Sequence, residues 1–264
     1  MSLAHHGKPQ VMFQQQLENA RQYVVPFVQQ VKKNISGLNV LEVGCGEGGV
    51  LCAFAELGAN CTGLELWENR IIRGKEYAKD FIRDYKLDLR VGNFYDEKIQ
   101  QEFSGKFDLV ILKDVIEHLP NQEAVMKILK LFLANDGIIF FGFPPWCMPF
   151  GGHQQIATNK IGKLPYYHIL HRNIYKFVLK NIFLQSEGTI TNLLEVHDTK
   201  ISINRFERCV RGADMKILKR ELFLINPIYK YKFGLKPRKQ IPVLKSIPLV
   251  RDFFTTCCYY LIGK

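Results

Sequence analysis

The segment Leu41-Glu42-Val43-Gly44-Cys45-Gly46-Glu47-Gly48 sets glycines at alternate positions directly after a short apolar run. Without a Cβ, such a backbone can turn sharply and pass close to a ligand. Glu65 lies 19 residues beyond Gly46, where a carboxylate at the end of a second strand can accept both hydroxyls of a ribose. Leu66 and Trp67 follow immediately and could sandwich an adenine, with a framework role for Trp67 as the alternative. A glycine turn alone serves several nucleotide chemistries, hydride transfer among them. Histidine, which titrates near neutrality, is the natural proton-transfer group. His118 and, in a stretch beginning Gly151-Gly152, His153 are the candidates. His168 and His171 have an i,i+3 spacing that could form part of a metal site, but no third ligand is evident and no metal is expected.

These residues need a scaffold that brings strand ends together, and the hydrophobic rhythm supplies one. Met12 to Val31 has helical spacing with Pro26 as an interruption. Leu38 to Val43 reads as a strand, Val50 to Leu57 as a helix, Cys61 to Leu66 as a second strand and Glu68 to Tyr85 as a charged amphipathic helix. Leu89 to Val91, Phe107 to Leu112 and Gly137 to Phe143 continue the strands, with a helix over Asn121 to Leu133 and a turn at Asn135-Asp136-Gly137. Alternating strands and helices imply α/β architecture, a doubly wound parallel sheet with helices on both faces. In such a sheet the ligand sits at the carboxyl ends of the strands near the switch in strand order. The rhythm breaks at Pro144-Pro145-Trp146, and residues 144–183, rich in aromatics and histidines, read as a cap inserted after the fifth strand. Thr199 could cap a helix through Arg211, Met215 to Ile225 reads as a strand, and Thr255 to Ile262 as a β-prone close. The chain is therefore expected to form one domain over 1–264, with a ligand-binding core at 35–143, the cap at 144–183, and C-terminal strands in 184–264 that complete the sheet.

The first glycine segment resembles the first motif of class I S-adenosylmethionine (SAM) dependent methyltransferases. Phe107-Asp-Leu-Val-Ile-Leu-Lys-Asp-Val-Ile-Glu-His-Leu resembles their fourth motif, particularly in the small-molecule branch that includes ubiquinone biosynthesis. The resemblance covers roughly residues 35 to 145 and implies a Rossmann-like seven-stranded sheet with the last strand antiparallel, and SAM as the cofactor. Glu42, Gly44, Cys45, Gly46 and Gly48 would then form the turn around it. Glu42, two residues before the first glycine, would hold the methionine end, and Glu65 the ribose. Asn93 stands where the family commonly has an Asp that accepts from the adenine amino group, a role an amide oxygen can also fill, and Phe94 would add an edge contact. Lys113 and Asp114 would lie beside the methyl group. Methyl transfer is an in-line displacement at a sulfonium carbon, which needs alignment, exclusion of water and, for a hydroxyl acceptor, a base. His118 is the first candidate for that base and His153 the second.

Three rivals follow from the same residues. A nicotinamide oxidoreductase shares the glycine turn but would show G-x-G-x-x-G and no acid at the Glu42 position. A nucleic-acid methyltransferase is suggested by the formal charge of +11 and by Phe143-Pro-Pro-Trp. Those prolines, however, follow the fifth strand rather than the fourth. A non-catalytic SAM-binding protein is the third. The charge is concentrated: residues 216–245 hold nine Lys or Arg against Glu221 alone, interleaved with Phe223, Tyr229, Tyr231 and Phe233. That stretch is either a solvated edge or a surface for a membrane, a phosphate-bearing lipid- or glycan-linked acceptor, or RNA. Partners are thus expected to be a small-molecule acceptor, with peripheral membrane contact the leading addition. Trp146, Phe150, Tyr166 and Tyr167 either line an acceptor pocket or form the cap's core. Seven cysteines without paired spacing read as reduced packing residues. With no apolar run of spanning length and no secretory signal in the first seven residues, a cytoplasmic location is expected.

Overall fold

The computed structural model describes residues 8–157 and 159–264; the first seven residues, on which the expected lack of a secretory signal rested, lie outside them. Its centre is one sheet with the order β3-β2-β1-β4-β5-β8-β6-β7. The strands are β1 (Asn39–Val43), β2 (Asn60–Glu65), β3 (Leu87–Val91), β4 (Phe107–Lys113), β5 (Leu133–Phe143), β6 (Lys216–Ile225), β7 (Arg238–Lys239) and β8 (Cys257–Gly263). β1 to β5 pair in parallel, and β8 enters antiparallel between β5 and β6. Where seven strands were expected, the two-residue β7 adds an eighth at the outer edge of β6. The order reverses between β1 and β4, so the crevice opens beyond Val43 and Lys113.

Alternation along the strands divides the interior into two layers. Val40, Cys61, Leu89, Leu109, Ile111, Phe140, Tyr259 and Leu261 face one side, and Leu41, Leu64, Val110, Leu112, Phe141, Tyr260 and Ile262 face the other. The first side is covered by α1 (Pro9–Asn19), α2 (Val25–Val28) and α3 (Gly49–Ala55), through Phe13, Leu17, Ala20, Val24, Phe27 and Phe54. The expected interruption at Pro26 takes a definite form: a π turn over Ala20–Val24 lets α2 restart with Pro26 in its first turn, where its missing N–H costs nothing. The charged helix after β2 is broken at Ala78 into α4 (Glu68–Tyr77) and α5 (Lys79–Asp84). The opposite layer is covered by α6 (Glu97–Phe103) and α7 (Gln122–Phe132). The turn expected at Asn135-Asp136-Gly137 is a bulge within β5: Phe107 pairs Leu133, while Leu109 already pairs Ile138.

The C-terminal third is less strand-rich than expected. After α8 (Arg172–Phe177), residues 187–212 form two helices, α9 (Glu187–Thr199) and α10 (Ile203–Gly212), and the completing strands begin only at Lys216. Thr199 ends α9 rather than starting a helix; Ser202 caps α10, its side chain accepting from the Arg205 N–H at 3.1 Å. α9 packs Ile190, Leu193 and Leu194 against Tyr175, Leu179 and Phe183, so the cap's core runs past 183 through α9. After β6 comes the short α11 (Tyr229–Phe233), and α12 (Pro242–Ser246) and α13 (Val250–Phe253) lead into β8.

Candidate functional site

Gly44, Gly46 and Gly48 all have φ between 57° and 84°, so the turn requires the left-handed conformation glycine reaches without strain. A Cβ on Gly44 would meet Val115 at 2.6 Å and one on Gly46 the Arg70 guanidinium at 2.8 Å. The turn closes onto β2: the Gly44 and Cys45 amides donate to Leu64 O. Glu65, at the end of that strand, is buried and organises the neighbourhood. Its Oε2 accepts from Gly46 N at 2.9 Å, and its Oε1 from Leu66 N at 2.9 Å and Trp67 N at 3.1 Å. Arg70 reaches across from α4 to Glu65 at 3.4 Å and to Glu47 at 3.5 Å, with Arg73 on Glu47 at 2.8 Å.

Leu66 and Trp67 project from this strand end 58% and 66% exposed, a large apolar surface beside the glycine turn. Asn93, after β3, is half-buried and its Oδ1 accepts from Tyr95 N at 3.0 Å, leaving a second lone pair. Phe94 sits elsewhere than expected. It is buried in the core layer of Leu41, Val43 and Leu64, its ring centroid 4.1 Å from that of Tyr95 with the rings tilted by 34°, and Tyr95 is the exposed aromatic at this strand end. Cys45 likewise turns its thiol inward, with burial raising its pKa, so the backbone is what it presents to the crevice.

Charge gathers at the ends of β1 and β4. Glu42 is 2% exposed, its Oε2 has no hydrogen-bond partner, and burial holds its pKa well above the usual range against the attraction of Lys113. Burial alone would lower the Lys113 pKa, but Asp114, 2.6 Å away, more than compensates; the same pair keeps Asp114 low against its surroundings. Asp114 has φ 56°, and His153, in the cap, φ 58°, both left-handed. Such residues cluster where function demands a fixed side-chain direction, at a cost of about 1–3 kcal/mol each. A single 3-10 turn, Ile116–His118, carries Glu117 and His118; the cap folds His153 back onto them, with the two imidazoles 4.9 Å apart edge to face. Thr199 Oγ1 of α9 donates to Glu117 O at 2.5 Å, fastening this turn to the cap.

The sequence-marked residues thus converge from four strand ends, with His153 delivered by the cap. His168 is excluded from metal ligation, because Gln154 and Trp146 O occupy its two ring nitrogens. Trp146 and Tyr167 are cap core, against His168, His197 and Phe183, whereas Tyr166 is exposed beside Phe253. Three participants carried no spacing signal: Glu117, Arg70, and Lys232 of α11. Burial lowers the Lys232 pKa, and Lys232 lies within electrostatic reach of Asp114 and Lys113. Only its place in the basic stretch hinted at Lys232.

The methyltransferase-domain family model matches residues 14–181. The chain belongs to this methyltransferase family. SAM is the family's cofactor, the one that the motif resemblance implied. Among curated relatives of the methyltransferase chain is the ubiquinone biosynthesis O-methyltransferase of Actinobacillus pleuropneumoniae serotype 7, 29% identical over 117 residues, 44% of this chain and 49% of the relative. The protein of the same name from Shewanella pealeana is 29% identical over 129 residues, 47% of this chain and 51% of that one. The chain thus spans about half the length of the curated relatives it matches. Among solved structures, a SAM-dependent methyltransferase from Mesorhizobium loti superposes with a TM-score of 0.56 at 13% identity, covering 94% of this chain and 100% of that one. A geranyl diphosphate methyltransferase in complex with SAM gives 0.54 at 14%, covering 90% and 83%. At these identities the likeness is one of fold.

Proposed function

We propose that this chain transfers the methyl group of SAM to a small-molecule acceptor. The observation that carries this is Glu42: a buried carboxylate at the end of β1, next to the left-handed glycine turn, has an oxygen without a hydrogen bond, and the cation attracting it, Lys113, is already ion-paired with Asp114. SAM supplies an electrophilic methyl on a positively charged sulfur. Glu42 would hold the methionine end, Glu65 the ribose, the Gly44-Cys45-Gly46 and Gly48 backbone the nearby chain of the ligand, Leu66 and Trp67 the adenine faces, and Asn93 its amino edge. Lys113 and Asp114, locked together, would fix the polarity beside the acceptor. Of the two proposed bases, His118 is the better suited. Burial lowers the pKa of both, but His153 is pushed down to about 4, too weak a base to take a proton efficiently near neutrality.

We further infer an acceptor with a lipid-like or lipid-linked portion, met at an anionic membrane face by a cytoplasmic protein. Val243 and Leu249 are 70% and 65% exposed, and Ile241, Ile247 and Phe254 are exposed beside them, in the same stretch as Lys236 and Arg238. Lys239 and Lys245 are paired with Glu221, and Arg220 with Glu207, which leaves less free charge than the sequence total promises for RNA. No helix among the described residues is long and apolar enough to cross a membrane.

Calorimetric titration with SAM and, separately, NADH tests the central reading. Micromolar SAM binding, lost in Gly46→Arg and in Glu65→Ala, with no NADH binding, is the expected result. NADH binding without SAM binding would require an oxidoreductase instead. Bound SAM with no methyl transfer to any acceptor in a panel of hydroxylated and lipid-linked compounds would point to a non-catalytic binder.

A further inference from the structure

Glu117 is 2% exposed, and neither of its carboxylate oxygens has a hydrogen-bond partner. A buried carboxylate without donors is costly, so a side chain held this way calls for a counter-ion or a proton. The groups facing it are two imidazoles. His153 Nε2 is 4.0 Å from Glu117 Oε1, and one donor atom from each of Glu117, His118 and His153 lies within 4.8 Å of the others. Among the described residues no hydrogen bond engages the ring nitrogens of His118 or His153, in contrast to His168, whose two nitrogens are both occupied, and His197, bonded to Leu170 O.

We propose that Glu117, His118 and His153 form a binding site for one divalent transition ion, Zn²⁺ or Mn²⁺, held by a carboxylate oxygen and two imidazole nitrogens at the acceptor end of the crevice. Donors about 2.1 Å from a common ion can stand at most about 4.2 Å apart. The Glu117–His153 pair already meets that limit, and a small rotation of the exposed His118 ring brings in the third. The donor set is borderline in softness, which favours these ions over Mg²⁺, an ion that prefers oxygen ligands. The ion would engage an orphaned Glu117 oxygen and offset the negative charge that Asp114 adds nearby. Resting on the methyltransferase reading, the positions left open by three protein ligands would take the acceptor oxygen and acidify its hydroxyl, the proton leaving to solvent; with the ion bound, His118 serves as a ligand and no longer as the base.

The test uses the full chain, stripped with chelator and titrated with ZnCl₂, MnCl₂ and MgCl₂ by calorimetry, with bound Mn²⁺ followed by electron paramagnetic resonance. One equivalent of Zn²⁺ and of Mn²⁺ should bind, with Mg²⁺ much weaker. Glu117→Gln and His153→Asn, each shown to be folded by circular dichroism, should weaken Zn²⁺ and Mn²⁺ binding by about 100-fold or more, since even outer-shell partners cost 10–100-fold. Glu117→Gln removes a buried charge without changing shape, so it stays informative if His153→Asn does not fold. An unmodified chain that binds neither ion, or variants that bind as tightly as it does, would overturn the site. SAM binding is measured on the same samples: its failure with metal binding intact would sink the methyltransferase reading and leave the metal site standing.

Discussion

Glu42 and Glu65 are both buried acids at neighbouring strand ends, yet they differ in kind. Glu65 accepts from three backbone N–H groups, whereas Glu42 keeps an oxygen without a partner. An acid whose pKa is raised on folding is ionised more readily in the unfolded chain. Its contribution therefore favours the fold at low pH and is lost as pH rises from the ordinary glutamate range towards the elevated folded value. Glu42→Gln should then raise the melting temperature of the ligand-free protein at pH 8, by about 2–4 °C for each kcal/mol relieved, with a smaller effect at pH 5. Thermal melts across that range check it, and a variant that melts lower at pH 8 would mean Glu42 is already compensated. The glycine turn, Glu42 and Glu65 were legible from spacing because their roles are set by backbone position. Glu117 was not, since the group it faces, His153, is a cap residue 36 positions away along the chain.

At the scale of elements, the core strands were legible because each alternates between two apolar layers or runs fully apolar, and the structure moves their ends by only a few residues. The stretch from 184 to 215 was not. Leu193, Leu194, Phe206 and Val210 are apolar residues in segments whose turn signals are weak, and α9 finds its partner in α8 and the segment after it rather than in the sheet. The segment spanning α12 and α13 exposes apolar side chains that a helix packed on a core would hide. If that face meets an anionic bilayer, the protein should co-sediment with vesicles containing phosphatidylserine and much less with phosphatidylcholine alone. Val243→Glu with Leu249→Glu should reduce the bound fraction severalfold while leaving SAM affinity unchanged. Equal sedimentation of the double variant would remove the membrane from the picture.

For the molecule as a whole, the cap and the sheet are joined at Trp146. Its ring sits between His168 and His197, and its amide donates to Ile201 O just before α10. Trp146→Ala should cost about 3–5 kcal/mol by opening a cavity at this junction. Because Thr199 of α9 holds the Glu117 turn, the same variant should weaken whatever binds near His118 more than it weakens SAM. Denaturant unfolding paired with the two titrations separates these effects; equal losses in both would mean the cap is not mechanically distinct from the core.

The topology also sets a timetable. β8 lies between β5 and β6 and forms backbone pairs with both, yet it is the last of the strands to be synthesised. Until it emerges from the ribosome, the sheet has a gap flanked by the apolar strand β5, whose edge would template pairing with another chain. The nascent chain must therefore keep a half-built sheet from meeting its neighbours for the whole time that the cap, α9, α10 and the basic stretch are being made, which makes chaperone demand during translation a property of its strand order.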